Sequence, residues 1–115
     1  MSIDPFERVP LGGASVDVWR LGVGMAALAG LFREVSDEEA EVVLDHAWNE
    51  GIRYYDTAPL YGYGLGEERL GRLLAQHAPE SYTISSKVGR LIYPIEVIDA
   101  DPSLEPDRPA VDIPG

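Results

Sequence analysis

Residues 51–74 read GIRYYDTAPLYGYGLGEERLGRLL, and this stretch decides the fold. Its first part, from Ile52 to Asp56, is short and largely apolar, which predicts a buried strand. Pro59 prevents the strand from continuing and begins an irregular loop. A second helix is then predicted from about Gly66 to Gln76, because apolar residues recur at helical spacing on one face: Leu70, Leu73 and Leu74.

A first helix precedes this stretch. Ser36 and Glu39 stand three residues apart, as in a capping box, and the acids that follow Ser36 complement the positive end of the helix dipole. Gly51 supplies the C-terminal stop. The predicted buried stripe consists of Ala40, Val43, Leu44, Ala47 and Trp48.

Strands are predicted on both sides of these helices. The run from Trp19 to Val23 reads as a strand followed by a glycine- and alanine-rich loop, and Tyr82 to Ser86 reads as another. Residues 9–11 and 14–18, divided by two glycines, predict a small hairpin. The alternation of strand and helix predicts an α/β fold with parallel strands joined by right-handed crossovers.

The last segment, residues 93–115, differs in composition. It contains prolines at 94, 102, 106, 109 and 114 and a single basic residue, Arg108. This composition predicts an extended, mobile, acidic tail. We therefore divide the chain into an α/β part, residues 1–92, and the tail, residues 93–115.

Composition excludes several functions. The chain has 115 residues and a net charge of −11, which argues against nucleic-acid and anionic-membrane partners. It has no cysteine and two well-separated histidines, so we expect no metal site. It shows neither a membrane span nor a secretory signal, and a cytoplasmic location is expected.

Three side chains form a candidate catalytic group. Asp56 and Lys87 follow successive parallel strands, which lie about 4.8 Å apart, so lysine can reach the carboxylate. An ammonium favours the phenolate form of a nearby tyrosine, so Tyr61 could act as a general acid toward a carbonyl. A purely structural ion pair is the alternative. The other candidate proton donors are Tyr54, Tyr55 and Tyr63.

These residues carry a family resemblance. Residues 51–71 resemble the first signature of the aldo-keto reductases, in which Gly-(Ile/Phe/Tyr)-Arg-x-x-Asp-Thr-Ala precedes a Tyr-Gly loop and Glu-x-x-Leu-Gly. Residues 85–90, SSKVGR, look like the family's third strand with its lysine. Residues 20–24 look like its first barrel strand, and residues 9–18 look like its bottom hairpin. The resemblance covers residues 8–92.

The resemblance implies a (β/α)₈ TIM barrel and NAD(P)-dependent interconversion of a carbonyl (aldehyde, ketone or aldose) and its alcohol. Tyr61 would be the proton donor, tuned by Lys87 and Asp56, and Thr57 would help to shape the pocket. Gly24 and Met25, with Asp56, would lie near the nicotinamide of NADP or NAD. The ending Val88-Gly89-Arg90 is similar to the branch that acts on fucose-like aldoses or pyridoxal.

The chain departs from the family pattern in length. A (β/α)₈ barrel takes about 250 residues, so we expect only its N-terminal portion: the bottom hairpin, about three parallel strands and two helices. The family's catalytic histidine and main cofactor phosphate site would follow later. Two hypotheses remain open: a truncated oxidoreductase, or a non-catalytic remnant that self-associates or binds a complementary C-terminal fragment. Gly66 stands where the family often has the serine that opens the second helix.

Overall fold

A computed structural model describes residues 2–104 of the chain. The strands are β1 (Arg8–Pro10), β2 (Asp17–Trp19), β3 (Val23–Gly24), β4 (Tyr54–Asp56) and β5 (Thr83–Ser85). The helices are α1 (Asp37–Asn49), α2 (Leu65–Leu74) and α3 (Ile95–Ala100), and short 3₁₀ turns cover Ala27–Ala29 and Pro79–Ser81.

Strands β1 and β2 form the predicted hairpin, with Val9 opposite Val18 in antiparallel register. The predicted strand from Trp19 to Val23 is wrong in its bounds, because Trp19 belongs to the hairpin. The backbone after Trp19 continues to pair with the N-terminal segment, since the amide of Arg20 donates to the carbonyl of Glu7 at 3.0 Å. The parallel strand therefore begins only at Val23.

Strands β3, β4 and β5 form one parallel sheet in that order, as the alternation of elements predicted. Two rows of residues are matched across it: Val23, Tyr55 and Ile84 in one, and Gly24, Asp56 and Ser85 in the next. Because successive residues of a strand point to opposite faces, the two rows face opposite ways. The first row faces the helices, since Tyr55 is buried in the core there.

Helix α1 begins with the predicted capping box. The Oγ of Ser36 accepts the amide of Glu39 at 3.1 Å, and the carboxylate of Glu39 accepts the amide of Ser36 at 3.2 Å. The apolar stripe is narrower than predicted, because Val43 is 46% exposed. Helix α2 packs against α1, whereas Val43 lies in an open surface groove with Leu28 and Phe32.

Helix α2 completes the core, whose fully buried side chains include Tyr55, Met25, Leu44 and Leu70. The helix begins at Leu65, within one residue of the predicted start, but its N-cap is Gly64, with φ of +97°, and not Gly66. Gly66 lies inside the first turn, where a Cβ atom would be 3.1 Å from the Cβ of Tyr61. The helix and the loop therefore approach each other closely at this position, and a larger residue would displace its neighbours by a few tenths of an ångström.

The predicted tail contains regular structure that its prolines were expected to forbid. Helix α3 covers Ile95–Ala100, directly after Pro94. Proline is tolerated there because the first amides of a helix have no carbonyl partner within it. The rest of the tail, residues 105–115, lies outside the described residues. The division of the chain at residue 92 and the mobility of the tail stay predictions.

Within residues 2–104, no helix combines the length and the apolar character that a membrane crossing requires. The same part of the chain contains no group of three histidine or carboxylate side chains that could hold a metal ion.

Candidate active site

Asp56 and Lys87 meet at the carboxyl ends of β4 and β5. The Nζ of Lys87 donates to the Oδ2 of Asp56 at 3.0 Å and to the carbonyl oxygen of Thr57 at 3.0 Å. The register explains this contact: Asp56 is paired with Ser85, and Lys87 follows two residues later on the same face. The predicted proximity of the two side chains is therefore present in the structure.

The second carboxylate oxygen of Asp56 is held by a residue that sequence reasoning missed. The Oγ of Ser85 donates to the Oδ1 of Asp56 at 2.6 Å, and the hydroxyl of Tyr54 lies 2.9 Å from the same Oγ. A serine hydroxyl has one hydrogen, so Tyr54 must be the donor toward Ser85. The alternation of side chains along β4 and β5 places all three residues on one face, and this was the signal that could have identified them.

The two charges reinforce each other. The hydrogen bond from Ser85 lowers the pKa of Asp56 below its usual value, and Lys87 acts in the same direction against the opposing effect of partial desolvation. The hydrogen bond to Asp56 raises the pKa of Lys87, with Tyr61 as a further contributor. Both groups therefore stay ionised near neutral pH. Their side chains are 50% and 41% exposed for Lys87 and Asp56, so the pair is open to solvent on one side.

Tyr61 lies beside this pair in the loop before α2. The Nζ of Lys87 is 5.0 Å from the centroid of the Tyr61 ring. The loop is packed tightly against the 3₁₀ turn of residues 27–29, because a Cβ atom on Gly62 would lie only 2.6 Å from the carbonyl oxygen of Ala29. Gly62 also has a positive φ of +62°. The chain can follow this path only with glycine at that position.

A pocket of about 220 Å³ opens between the loop and the end of β5. Its lining combines the phenol of Tyr61, the ammonium of Lys87 and mainly apolar neighbours: Ala58, Pro59, Leu60 and Val88, with Arg90. An apolar pocket with a few convergent polar groups is typical of a small-molecule site.

Gly24 and Met25 differ in what they offer at this end of the sheet. A Cβ atom on Gly24 would meet nothing within 4 Å, so the space beside the Asp56 row is open at this strand. The side chain of Met25 is fully buried in the core, and its amide donates to the carbonyl oxygen of Asp56 at 2.9 Å. Contact of Gly24, Met25 and Asp56 with a cofactor stays a prediction. Because the side chain of Met25 is buried, only its backbone could make such a contact.

The remaining sequence candidates lie elsewhere. Tyr55 is buried on the helix face, where its hydroxyl donates to the carbonyl of Ile52 at 2.9 Å. Tyr63 is 41% exposed and has a positive φ of 52°. Thr57 lines a different groove, between α2 and β5, and its buried Oγ1 has no hydrogen-bond partner.

Arg69 is a second residue that sequence reasoning missed. It is 7% exposed, and its guanidinium donates to three groups: the carbonyl oxygen of Leu28 at 2.5 Å, that of Val35 at 2.7 Å and the Oδ1 of Asp37 at 3.0 Å. It therefore ties α2 to both ends of the loop between β3 and α1. Glu68 precedes it and Leu70 follows it in sequence, and no local pattern marks a buried arginine.

A three-stranded parallel sheet with crossover helices and a hairpin before its first strand is the arrangement expected for the N-terminal part of a (β/α)₈ barrel. Comparison identifies the family. The model of the Aldo/keto reductase family matches residues 20–108, so the chain belongs to the aldo/keto reductase family.

Known proteins share the same region. The chain is 49% identical over 81 residues to D-threo-aldose 1-dehydrogenase from Pseudomonas sp. The aligned region covers 70% of this chain and 25% of the relative. The chain is 45% identical over 92 residues to pyridoxal 4-dehydrogenase from Microbacterium luteolum, covering 80% and 27%.

A solved structure supports the fold assignment. The aldo-keto reductase AKR11C1 from Bacillus halodurans, in its holo form, matches with a TM-score of 0.60 and 30% identity over 72% of this chain and 26% of that one. The predicted fold class and family are thus confirmed. The chain spans about a quarter of the length of the curated relatives that it matches.

Proposed function

We propose that this chain carries part of the catalytic site of an NAD(P)-dependent oxidoreductase that interconverts a carbonyl and its alcohol. The observation that carries the proposal is the Lys87–Asp56 ion pair, 3.0 Å between charged atoms, at the strand ends beside Tyr61. Membership of the aldo/keto reductase family and the pocket next to these side chains support it.

The three side chains divide the proton chemistry among them. Tyr61 gives its phenolic proton to the substrate carbonyl oxygen as that oxygen gains negative charge. The ammonium of Lys87 stabilises the phenolate that remains. Asp56 keeps Lys87 protonated and directed at this site, since its hydrogen bond raises the pKa of the lysine. In the oxidative direction, the phenolate takes the proton back from the alcohol.

The residues at the strand ends are compatible with a nicotinamide cofactor. The open space beside Gly24 and the exposed side of the Lys87–Asp56 pair leave room next to the candidate acid. The backbone of residues 24 and 25, together with Asp56, would hold the nicotinamide end. NADP or NAD, when bound, supplies or accepts the hydride.

The names of two relatives support a substrate class for this proposal. D-threo-aldose 1-dehydrogenase and pyridoxal 4-dehydrogenase act, by their names, on an aldose and on pyridoxal. We propose that the pocket of about 220 Å³ takes part of a small aldose or aldehyde, with the reacting carbonyl toward Tyr61.

Cofactor binding and turnover test this function. The chain is titrated with NADPH, NADH and reduced nicotinamide mononucleotide, and nicotinamide fluorescence is followed. Turnover is measured with aldoses and pyridoxal, for the chain alone and with the C-terminal remainder of the Pseudomonas relative added. Saturable binding, with turnover in either arrangement, is expected. Absence of cofactor binding, both by the chain alone and by the chain with the C-terminal remainder, would contradict the proposal.

A second candidate function is association with a polypeptide that supplies further strands. Among the described residues, β3 and β5 are the edge strands of the sheet, and Ile84 of β5 is 45% exposed. Unpaired edges favour pairing with another strand. Sedimentation of the chain alone and with the same C-terminal segment separates the outcomes: self-association, a mixed complex, or a monomer that would contradict this candidate.

A further inference from the structure

A chain of hydrogen bonds ends at the carboxylate oxygen of Asp56 that does not contact Lys87. It runs from the hydroxyl of Tyr54 to the Oγ of Ser85 at 2.9 Å and then to the Oδ1 of Asp56 at 2.6 Å. Asp56 and Ser85 are register partners on adjacent strands. The contact is therefore set by the sheet and not by a flexible loop.

The position of Tyr54, the first residue of this hydrogen-bond chain, is restricted by packing. The ring of Tyr54 lies directly against Gly22, where a Cβ atom would be 2.6 Å from the Cδ1 atom of the ring. This packing restricts the ring, and the phenol must donate to Ser85 because the single hydrogen of the serine goes to Asp56. Each hydroxyl thus has one donor direction that the structure dictates.

Lys87 alone leaves the orientation of the carboxylate underdetermined. The lysine side chain is 50% exposed, and an exposed pair between flexible side chains is held weakly. The bond from Ser85 fixes Oδ1, and this leaves Oδ2 directed at Lys87. A carboxylate bound at both oxygens presents one geometry to the ammonium.

We propose that Ser85, oriented by the hydroxyl of Tyr54, is the positioning residue that fixes the Asp56 carboxylate toward Lys87. The positioning of the carboxylate is argued only from the strand register and the hydrogen bonds of Ser85. Its consequence for catalysis rests on the proposed function, because Ser85 acts on the candidate acid only through Asp56 and Lys87.

The next residue, Ser86, provides a matched control. Its side chain alternates to the other face of the strand, where its Oγ donates to the Oε1 of Glu67 at 2.9 Å. Ser85→Ala and Ser86→Ala remove the same group one residue apart in sequence. Only the first variant removes a bond to Asp56.

The first test needs no activity. The carboxyl carbon of Asp56 is followed by NMR through an acid titration of the full chain. The titratable groups around it are Lys87 at the end of β5, Tyr54 on β4 and Tyr61 in the loop. Ser85→Ala is expected to raise the pKa of Asp56 toward its ordinary value, because the hydrogen bond that lowers it is lost.

Two further variants sharpen this test. Ser85→Thr keeps the hydroxyl and is expected to retain the lowered pKa of Asp56. Tyr54→Phe removes only the outer hydroxyl, keeps the ring on Gly22, and is expected to cause a smaller rise in the same direction. It also decides the proposal if Ser85→Ala fails to fold.

The results that would overturn the proposal are equally specific. They are an Asp56 that titrates at its ordinary value in the unsubstituted chain, an unchanged pKa in both Ser85→Ala and Tyr54→Phe, or an equal rise in Ser86→Ala. If turnover is established, Ser85→Ala is also expected to lower kcat about tenfold with little change in KM. Failure of cofactor binding leaves the NMR result standing, so the two proposals fail separately.

Discussion

Two of the ion pairs in this molecule, Arg69–Asp37 and Lys87–Asp56, use charge in opposite ways. Arg69 is 7% exposed and bonds Asp37 together with two loop carbonyls, whereas Lys87 is 50% exposed and bonds Asp56 and one carbonyl beside a pocket. The guanidinium has five donors in a rigid fork and suits several fixed acceptors. The ammonium is a compact charge on a flexible stem. Burial therefore accompanies a structural role, and exposure at the strand ends leaves charge available for chemistry.

The largest expected effect is a loss of turnover, without loss of stability, when Lys87 is replaced. Lys87→Met is expected to lower turnover of the proposed reaction by about 10²- to 10⁴-fold, the range for loss of general acid–base catalysis. The melting temperature should change little, because the side chain is half exposed. Steady-state rates and thermal unfolding monitored by circular dichroism check both parts. A large loss of stability with activity retained would reverse the comparison.

Arg69 should show the converse pattern. Arg69→Met is expected to destabilise the fold by about 3 kcal/mol, because the carbonyls of Leu28 and Val35 lose a charged donor. Urea unfolding measures the change. The control is Arg72→Met on the same helix, which shares Asp37 as a partner but is 53% exposed. An equal loss in both variants would show that the surface attraction, and not the buried network, stabilises the loop.

The pH dependence of stability should reflect the signs of the shifted groups. The pKa of Asp56 is lowered in the fold, so its contribution is present above the unfolded value of about 3.9 and is lost as pH falls through the folded value. The pKa of Lys87 is raised, so its contribution is full below about 10.4 and is lost as pH rises through the folded value. Stability should therefore be flat near neutral pH.

A smaller expected effect is a change in how far stability falls at acid pH when Asp37 or Asp56 is replaced. Asp37 also has a lowered pKa, caused first by its hydrogen bond from Arg69. Asp37→Asn and Asp56→Asn should each reduce the loss of stability between neutral and acid pH, since each removes one linked carboxylate. Urea midpoints at neutral and acid pH check this. Unchanged acid sensitivity in both variants would contradict the linkage.

Much of the site followed from residues 51–74 and one lysine. The motif predicted the family and the meeting of Asp56 with Lys87, because parallel register places consecutive strand ends side by side. The capping box at Ser36 was also readable, since a helix N-terminus is a local structure. The bounds of β3 were not, because residues 20 and 21 pair with residues 7 and 5, which lie before the hairpin and are distant in sequence.

The sequence by itself determined the class of fold, the family and the identity of the charged pair. Only the tertiary structure decided which groups hold that pair: Ser85 and Tyr54 beside Asp56, and glycine at positions 62 and 66 beside Tyr61. It also revealed that Arg69 is buried. The reason is physical. Patterns of spacing describe neighbours along one element, whereas hydrogen bonds between strands and the close approach of loops depend on residues that are distant in sequence.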